Sequence, residues 1–324
     1  MANVLVIGGA GYIGSVVCEK LVKTHKVTIL DDLSTGFKQL INKKAKFIKG
    51  SLLQTEKLTK ILIENKIDLV IYLAAKIVVS ESAAKADEYY ETNVNGCISL
   101  MKAMVTAKVK KLIFASSAAV YGVPQTNVIK ESHPKSPCNV YGMTKNIDEK
   151  IINDISNQHG IKYLIFRFFN VSGASDSGKC GLLKKYPTWL IASVNKSIIN
   201  NEPFNAYGGN YNTKDHTALR DYVHVEDLAD AHLLGVEYLN KNKPSAIMNL
   251  GLGKAYTVKE VYDYAIKLYK SKNRLVIKPN RVGDPDCLLS SITQAKKVLN
   301  WSPKRNIRDM IVSDHEFQKK NIKY

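Results

Sequence analysis

Short apolar runs recur along the chain at 3–7, 26–30, 46–49, 69–73, 111–115, 163–167 and 246–250. They are apolar at adjacent positions and draw on Val, Ile and Leu, so each predicts a strand buried on both faces. Stretches of helical period separate them, at 13–23, 55–65, 89–107 and 140–157. Such alternation predicts an α/β fold built on a doubly wound parallel sheet of Rossmann type. From about Val171 the pattern breaks. Gly, Asn, Tyr and Ser crowd 173–187 and 207–217, which predicts a smaller, irregular C-terminal subdomain. Long ordered loops in a compact protein usually carry function.

Composition narrows the classes. The chain has 324 residues, 45% hydrophobic and 23% charged, ordinary for a globular protein with a sizeable core. No apolar run approaches the roughly 18 residues of a spanning helix, and no signal-peptide pattern opens the chain. The five cysteines are scattered and form no C-x-x-C pair, which points to a reducing cytoplasm. The seven histidines lack metal-ligand spacing, so no metal site is expected. The net charge of +18 comes from lysines spread along the whole chain, with only six arginines. A nucleic-acid binder would cluster Arg and Lys with aromatics between them. The charge therefore reads as a composition bias that also favours anionic ligands.

The first run leads directly into Gly8-Gly9-Ala10-Gly11-Tyr12-Ile13-Gly14, and a helical pattern follows. Glycines there allow a tight turn and let backbone N–H groups approach a pyrophosphate at a helix N-terminus. The strand-loop-helix context makes the motif specific. The second run ends at Asp31-Asp32. A carboxylate about 20 residues past the glycines accepts ribose hydroxyls and repels a 2′-phosphate, which favours NAD over NADP.

After the fifth run stands Ser116-Ser117, and farther on Tyr141-Gly142-Met143-Thr144-Lys145. Tyr141 and Lys145 lie at i and i+4, on one helix face. Met143, Ile147, Ile151 and Ile155 form an apolar stripe near the opposite face, which leaves Tyr141 and Lys145 to a cleft. An ammonium at ~5 Å favours a phenolate by ~3 kcal/mol at an effective dielectric of about 20, roughly two pK units. The expectation is a tyrosine base working near neutral pH, Tyr141, with Lys145 and Ser117 as its catalytic partners.

With these motifs the chain resembles the extended short-chain dehydrogenases/reductases and, among them, the UDP-glucose/UDP-galactose 4-epimerase family. The resemblance also covers 90–96, 167–174, 220–229 and 281–285. It implies reversible 4-epimerisation of UDP-galactose and UDP-glucose. Tyr141 takes the proton of the sugar 4-hydroxyl, Ser117 hydrogen-bonds that oxygen, and Lys145 holds the nicotinamide ribose. Hydride passes to tightly held NAD and returns to the other face of the 4-keto sugar. The implied cofactor residues are Gly8, Gly11, Tyr12, Ile13, Gly14, Asp31, Ser51, Leu52, Ala74, Asn93, Tyr141, Lys145 and Phe169. The implied substrate residues are Ser117, Tyr141, Asn170, Leu190, Tyr207, Arg220, Arg281, Asp284 and Leu288.

Arg220 and Arg281 also suit a diphosphate on chemical grounds, because planar forks bind phosphate in a bidentate manner. The alternative is a pair of structural salt bridges with Asp221 and Asp284. The sequence departs from the family at Ser51, where an Asp is usual, at Ala74-Ala75-Lys76-Ile77, and at Trp189. Leu288 stands where some members carry a pocket-narrowing Tyr, which extends the expected substrates to UDP-N-acetylhexosamines. Another NAD-dependent nucleotide-sugar epimerase or decarboxylase, acting for example on UDP-glucuronate, is the nearest alternative. Ala118-Ala119 lacks the Asp-Glu pair of dehydratases, and the retained Tyr and Lys argue against a mere NAD sensor. The expected partners are a UDP-sugar and a second copy of the chain, paired through 89–107 and 140–157, with neither nucleic acid nor membrane. The expected division is a NAD-binding part, 1–170 with about 218–250, and a sugar-binding part, 171–217 with 251–324.

Overall fold

A computed structural model describes residues 1–279 and 285–322. Thirteen strands occur among them. In chain order they are β1 Asn3–Ile7, β2 Lys26–Asp31, β3 Lys46–Lys49, β4 Leu69–Tyr72, β5 Lys111–Ser117 and β6 Lys162–Phe168. There follow β7 Asn170–Ser172, β8 Phe204–Tyr207, β9 Leu219–His224, β10 Ala246–Leu250, β11 Ala255–Thr257, β12 Leu275–Lys278 and β13 Cys287–Leu288.

Seven strands form one parallel sheet in the order β10-β6-β5-β4-β1-β2-β3. The period-2 geometry of β1 shows why both faces must be apolar. Val4 and Val6 enter a core shared with the helices Tyr12–Leu21 and Val225–Asn240. Leu5 and Ile7 enter the opposite core with the helices Thr55–Glu64 and Gly96–Thr106. The order in which strands are added reverses between β1 and β4, so a crevice opens beyond their C-terminal ends.

The C-terminal half supplies two small sheets. One has the path β11-β9-β13, with β7 also paired to β9; the other joins β12 to β8. Their shared core includes Ile191, Val194, Phe204, Tyr222, Val261 and Met310. Trp301 is buried in the core of the main sheet and donates its indole N–H to the Asp227 carbonyl, 2.8 Å. Arg305 pairs with both Asp227 and Asp176. The end of the chain is thereby pinned to the helix that covers the main sheet.

Two expected helices differ in detail. The helical pattern at 89–107 contains a π-helical turn, Tyr90–Asn95, before the regular helix Gly96–Thr106. A π-turn inserts an extra residue and redirects a side chain. Here the buried Asn93 accepts from the Lys76 amide (2.8 Å) and donates to the Lys76 carbonyl (3.1 Å) and Thr144 Oγ1 (3.0 Å). The second difference concerns burial. The helix Val140–His159 buries its polar face, with Tyr141, Thr144, Lys145, Asp148 and Glu149 inside. Met143 is 36% exposed, and Ile147 and Ile151 are half-buried.

Candidate active site

The nucleotide end is a cradle that only glycine fills. Gly8 sits at φ +86°, and a Cβ there would lie 2.7 Å from the Ala74 amide nitrogen. A Cβ at Gly14 would drive into the Gly8 carbonyl oxygen. The loops after β1 and β4 are therefore pressed together at the crevice. The helix Tyr12–Leu21 opens at Gly11 with no side-chain cap, which leaves first-turn N–H groups directed at that crevice. Such a cradle accepts a pyrophosphate.

Asp31 closes β2 and is buried. It accepts from the Ala10 and Leu33 amides, each at 2.9 Å, which ties the glycine loop to the strand. Burial raises its pKa and those two hydrogen bonds oppose the rise. Tyr12 donates to the Gly173 carbonyl at 2.5 Å, so its hydroxyl links the glycine-loop helix to the end of β7. Ile13 packs at the edge of the main core. Ser51 accepts from the Leu53 amide (3.2 Å), and Leu52 is buried against Gly96. Asn93 has its side chain committed to Lys76 and Thr144 and acts as a strut between the β4 loop and the helix Val140–His159.

Ser117 ends β5 and caps the short turn Ala118–Tyr121 by accepting from the Ala119 amide, 3.2 Å. Asn139 caps the helix Val140–His159 by accepting from the Gly142 amide, 2.8 Å. A Cβ at Gly142 would strike the Ala119 carbonyl oxygen, so glycine lets the helix start abut the turn. That contact brings Tyr141 close enough to Ser117 for the serine hydroxyl to favour the phenolate.

The expected lowering of the Tyr141 pKa is not produced by the polypeptide itself. Burial pushes the phenol up to about 12, and the neighbouring Ser117 hydroxyl recovers only part of the shift. The physical reason is where the lysine lies. Lys145 is buried with its Nζ 4.5 Å from the centre of the Phe114 ring and 5.8 Å from that of Tyr72. Burial lowers its own pKa, opposed chiefly by Asp148.

Behind these residues is a buried network that sequence reasoning missed. Arg167 of β6 donates to both carboxylate oxygens of Glu149, at 2.9 and 2.7 Å. It also donates to Tyr121 Oη (2.8 Å) and the Glu131 carbonyl (3.0 Å). Ser116 donates to Glu149 at 2.6 Å, and Tyr121 to Asn249 Oδ1 at 2.7 Å. Burial alone would raise the Glu149 pKa, but Arg167 outweighs it and holds the carboxyl below its usual range. The signal was present: an arginine inside an apolar strand requires a buried acid. Glu149 lies eight positions after Tyr141, on the same helix face.

On the substrate side, Arg220 of β9 is buried and donates to the Leu219 and Asp286 carbonyls. Asp221 is committed to the Leu252, Gly253 and Ser290 amides and to Ser290 Oγ. Asn170 begins β7 and pairs in register with Tyr222 of β9. Leu288 pairs in register with Arg220 and packs against the cluster of Ala118, Val120, Tyr121 and Phe169. Phe169 thus lies under the turn Ala118–Tyr121. Leu190 opens the helix Leu190–Asn200 and packs into the C-terminal core, and Tyr207 is 47% exposed at the end of β8. Arg281 and Asp284 lie outside the described residues.

The glycine cradle, the acid ending β2 and the Ser117–Tyr141–Lys145 group all stand at the C-terminal edge of one parallel sheet. Residues 4–251 match the model of the NAD dependent epimerase/dehydratase family. The chain belongs to that family. A UDP-glucose 4-epimerase of Lactobacillus helveticus is 43% identical over 324 residues, covering 99% of this chain and 98% of the relative. A crystal structure of a UDP-glucose 4-epimerase superposes with a TM-score of 0.95 at 36% identity, covering 99% of each chain. The Bifidobacterium longum UDP-glucose 4-epimerase, solved in complex with NAD+ and UDP, gives 0.92 at 33% identity over 98% of each chain. The family member is an NAD-dependent enzyme with a Rossmann sheet, as expected from the sequence. No helix among the described residues is long and apolar enough to cross a membrane, and no group of His, Cys, Asp or Glu there could hold a metal ion.

Proposed function

We propose that the chain interconverts UDP-galactose and UDP-glucose by inverting the sugar C4. The contact between Ser117 and Tyr141 at the C-terminal end of β5 carries this reading. Tyr141 is the base for the 4-hydroxyl, and Ser117 orients that oxygen. Bound NAD supplies the hydride acceptor and adds positive charge, which favours the phenolate. Gly8, Gly11 and Gly14, with the first-turn amides of Tyr12 and Ile13, hold the pyrophosphate. Asp31 takes the adenosine ribose, and Lys145 the nicotinamide ribose. Residues 1–170 with about 218–250 form the NAD-binding part. Residues 171–217 with 251–324 hold the UDP-sugar through Asn170 at their border, Leu190, Tyr207, Arg281, Asp284 and Leu288, with Arg220 reaching across from β9.

Leu288 sets the breadth of substrates. It rests on the catalytic turn beside Phe169, where a branched aliphatic leaves more room than a tyrosine ring. UDP-N-acetylhexosamines are therefore accepted as well, and Leu288→Tyr should remove that activity while keeping the galactose reaction. The chain works as a homodimer in the cytoplasm, in galactose metabolism. The half-exposed Met143–Ile147–Ile151 stripe supports the pairing, and five free cysteines support the compartment.

The test is incubation with UDP-galactose without added reductant, following UDP-glucose by chromatography, with Tyr141→Phe alongside. Conversion by the wild type and its collapse in the variant are expected. An active Tyr141→Phe would end the assignment of the base.

A further inference from the structure

One acid in the buried face of the catalytic helix has no assigned part. Asp148 follows Lys145 by three positions, so the two share a helix face one turn apart. It is fully buried, and among the described residues neither carboxylate oxygen has a hydrogen-bond partner. Every other carboxylate near Lys145 on this helix is committed: Glu149 is clamped by Arg167, Ser116 and Lys135. Among the described residues, Lys145 is the cation that acts on Asp148, and Glu149 the other charge. The helix Gly96–Thr106 presents Cys97, whose thiol lies 3.9 Å from the Asp148 carbonyl oxygen, and β4 presents Tyr72. Its own helix adds Tyr141, Lys145 and Glu149. A buried carboxylate without partners is costly, and so is a buried ammonium. Two such groups one turn apart make each other tolerable.

We propose that Asp148 is a positioning residue for the reaction: its carboxyl is the counter-charge that keeps Lys145 an ammonium inside the protein. The inference rests on the assignment of Tyr141 and Lys145 above. The same charge acts on both catalytic groups. It favours the protonated lysine, and it favours the neutral phenol of Tyr141. Burial in turn raises the Asp148 pKa well above the carboxylate range, with Lys145 pulling it back, so the acid takes up a proton far sooner than a surface aspartate would. Asp148 thus moves the working window of the site toward alkaline pH. The lysine stays charged to higher pH, and the base needs higher pH to form.

The experiment is the pH profile of kcat/KM with UDP-galactose for the wild type, Asp148→Asn and Asp148→Glu, with Tyr141→Phe as control. Asp148→Asn removes the charge and keeps the shape, so both limbs should move to lower pH, the lysine limb by about one to two units, the size expected of one charge a helical turn away, and the tyrosine limb, two turns away, by less. Asp148→Glu keeps the charge and should hold both limbs close to the wild type. An Asp148→Asn profile that scales in height with unmoved limbs would overturn the proposal, because a purely structural role lowers activity at all pH values alike. If Asp148→Asn does not fold, Asp148→Leu fills the same apolar surroundings and is read the same way. A Tyr141→Phe enzyme that stays active would strike the assignment of the base instead, so the two failures are distinguishable.

Discussion

Two helices on the same side of the sheet solve opposite problems. The helix Thr55–Glu64 buries Leu58, Ile61 and Leu62 and turns its lysines and glutamates to water. The helix Val140–His159 does the reverse, with Lys145, Asp148 and Glu149 inside and Met143 in solvent. The first arrangement follows from apolar transfer alone. The second must be sustained by specific partners, and those partners are what the protein invests in chemistry. Buried polarity is the better pointer to this site than any single motif.

Four substitutions test that contrast. The largest effect is expected from Tyr141→Phe, with turnover falling about 10²–10⁴-fold as general-base catalysis is lost, while the melting temperature stays near that of the wild type. Glu149→Gln breaks the Arg167 clamp and leaves a buried guanidinium under-compensated. It should cost about 3–5 kcal/mol in denaturant unfolding. If the cost is a few tenths instead, the buried network is not what sustains the inverted helix. On the ordinary helix, Ile61→Ala should cost about 2–4 kcal/mol through the cavity it leaves, with turnover per folded molecule unchanged. The smallest change in fold stability, within about 0.5 kcal/mol, is expected at low protein concentration from Ile147→Ser, on the same stripe but outside the core clusters. The same variant should lower the sedimentation coefficient at high concentration if the apolar stripe is covered by a second copy. An unaltered coefficient would take this stripe out of the interface.

The part of the structure governed by periodicity was legible in the sequence. All seven strands of the main sheet fall on the apolar runs, and the glycine loop stands where β1 ends. The apolar stripe of the catalytic helix was visible too, but not its exposure, because periodicity gives a face without saying what covers it. Asp148 was invisible for a related reason: a lone acid on a helix reads as solvated until the fold shows it enclosed. Arg167 inside an apolar strand signalled a buried acid, but its identity as Glu149 required knowing that the helix Val140–His159 packs on β6, which no local window contains. In the C-terminal half, Arg220 and Leu288 meet only because β13 returns beside β9, and the loops between them carry no period to read.

The return of β10 to the main sheet has a consequence for how the chain is made. β6 ends at Phe168, and the strand that covers its open edge does not begin until Ala246. During synthesis the N-terminal half therefore waits with an unpaired parallel strand until the intervening chain emerges. An exposed edge of that kind templates pairing with other molecules. Contacts so distant in sequence also close slowly. The two halves are thus woven rather than joined end to end. A fragment stopping near residue 170 should aggregate rather than fold, and dividing the gene at that point would not yield two folded pieces.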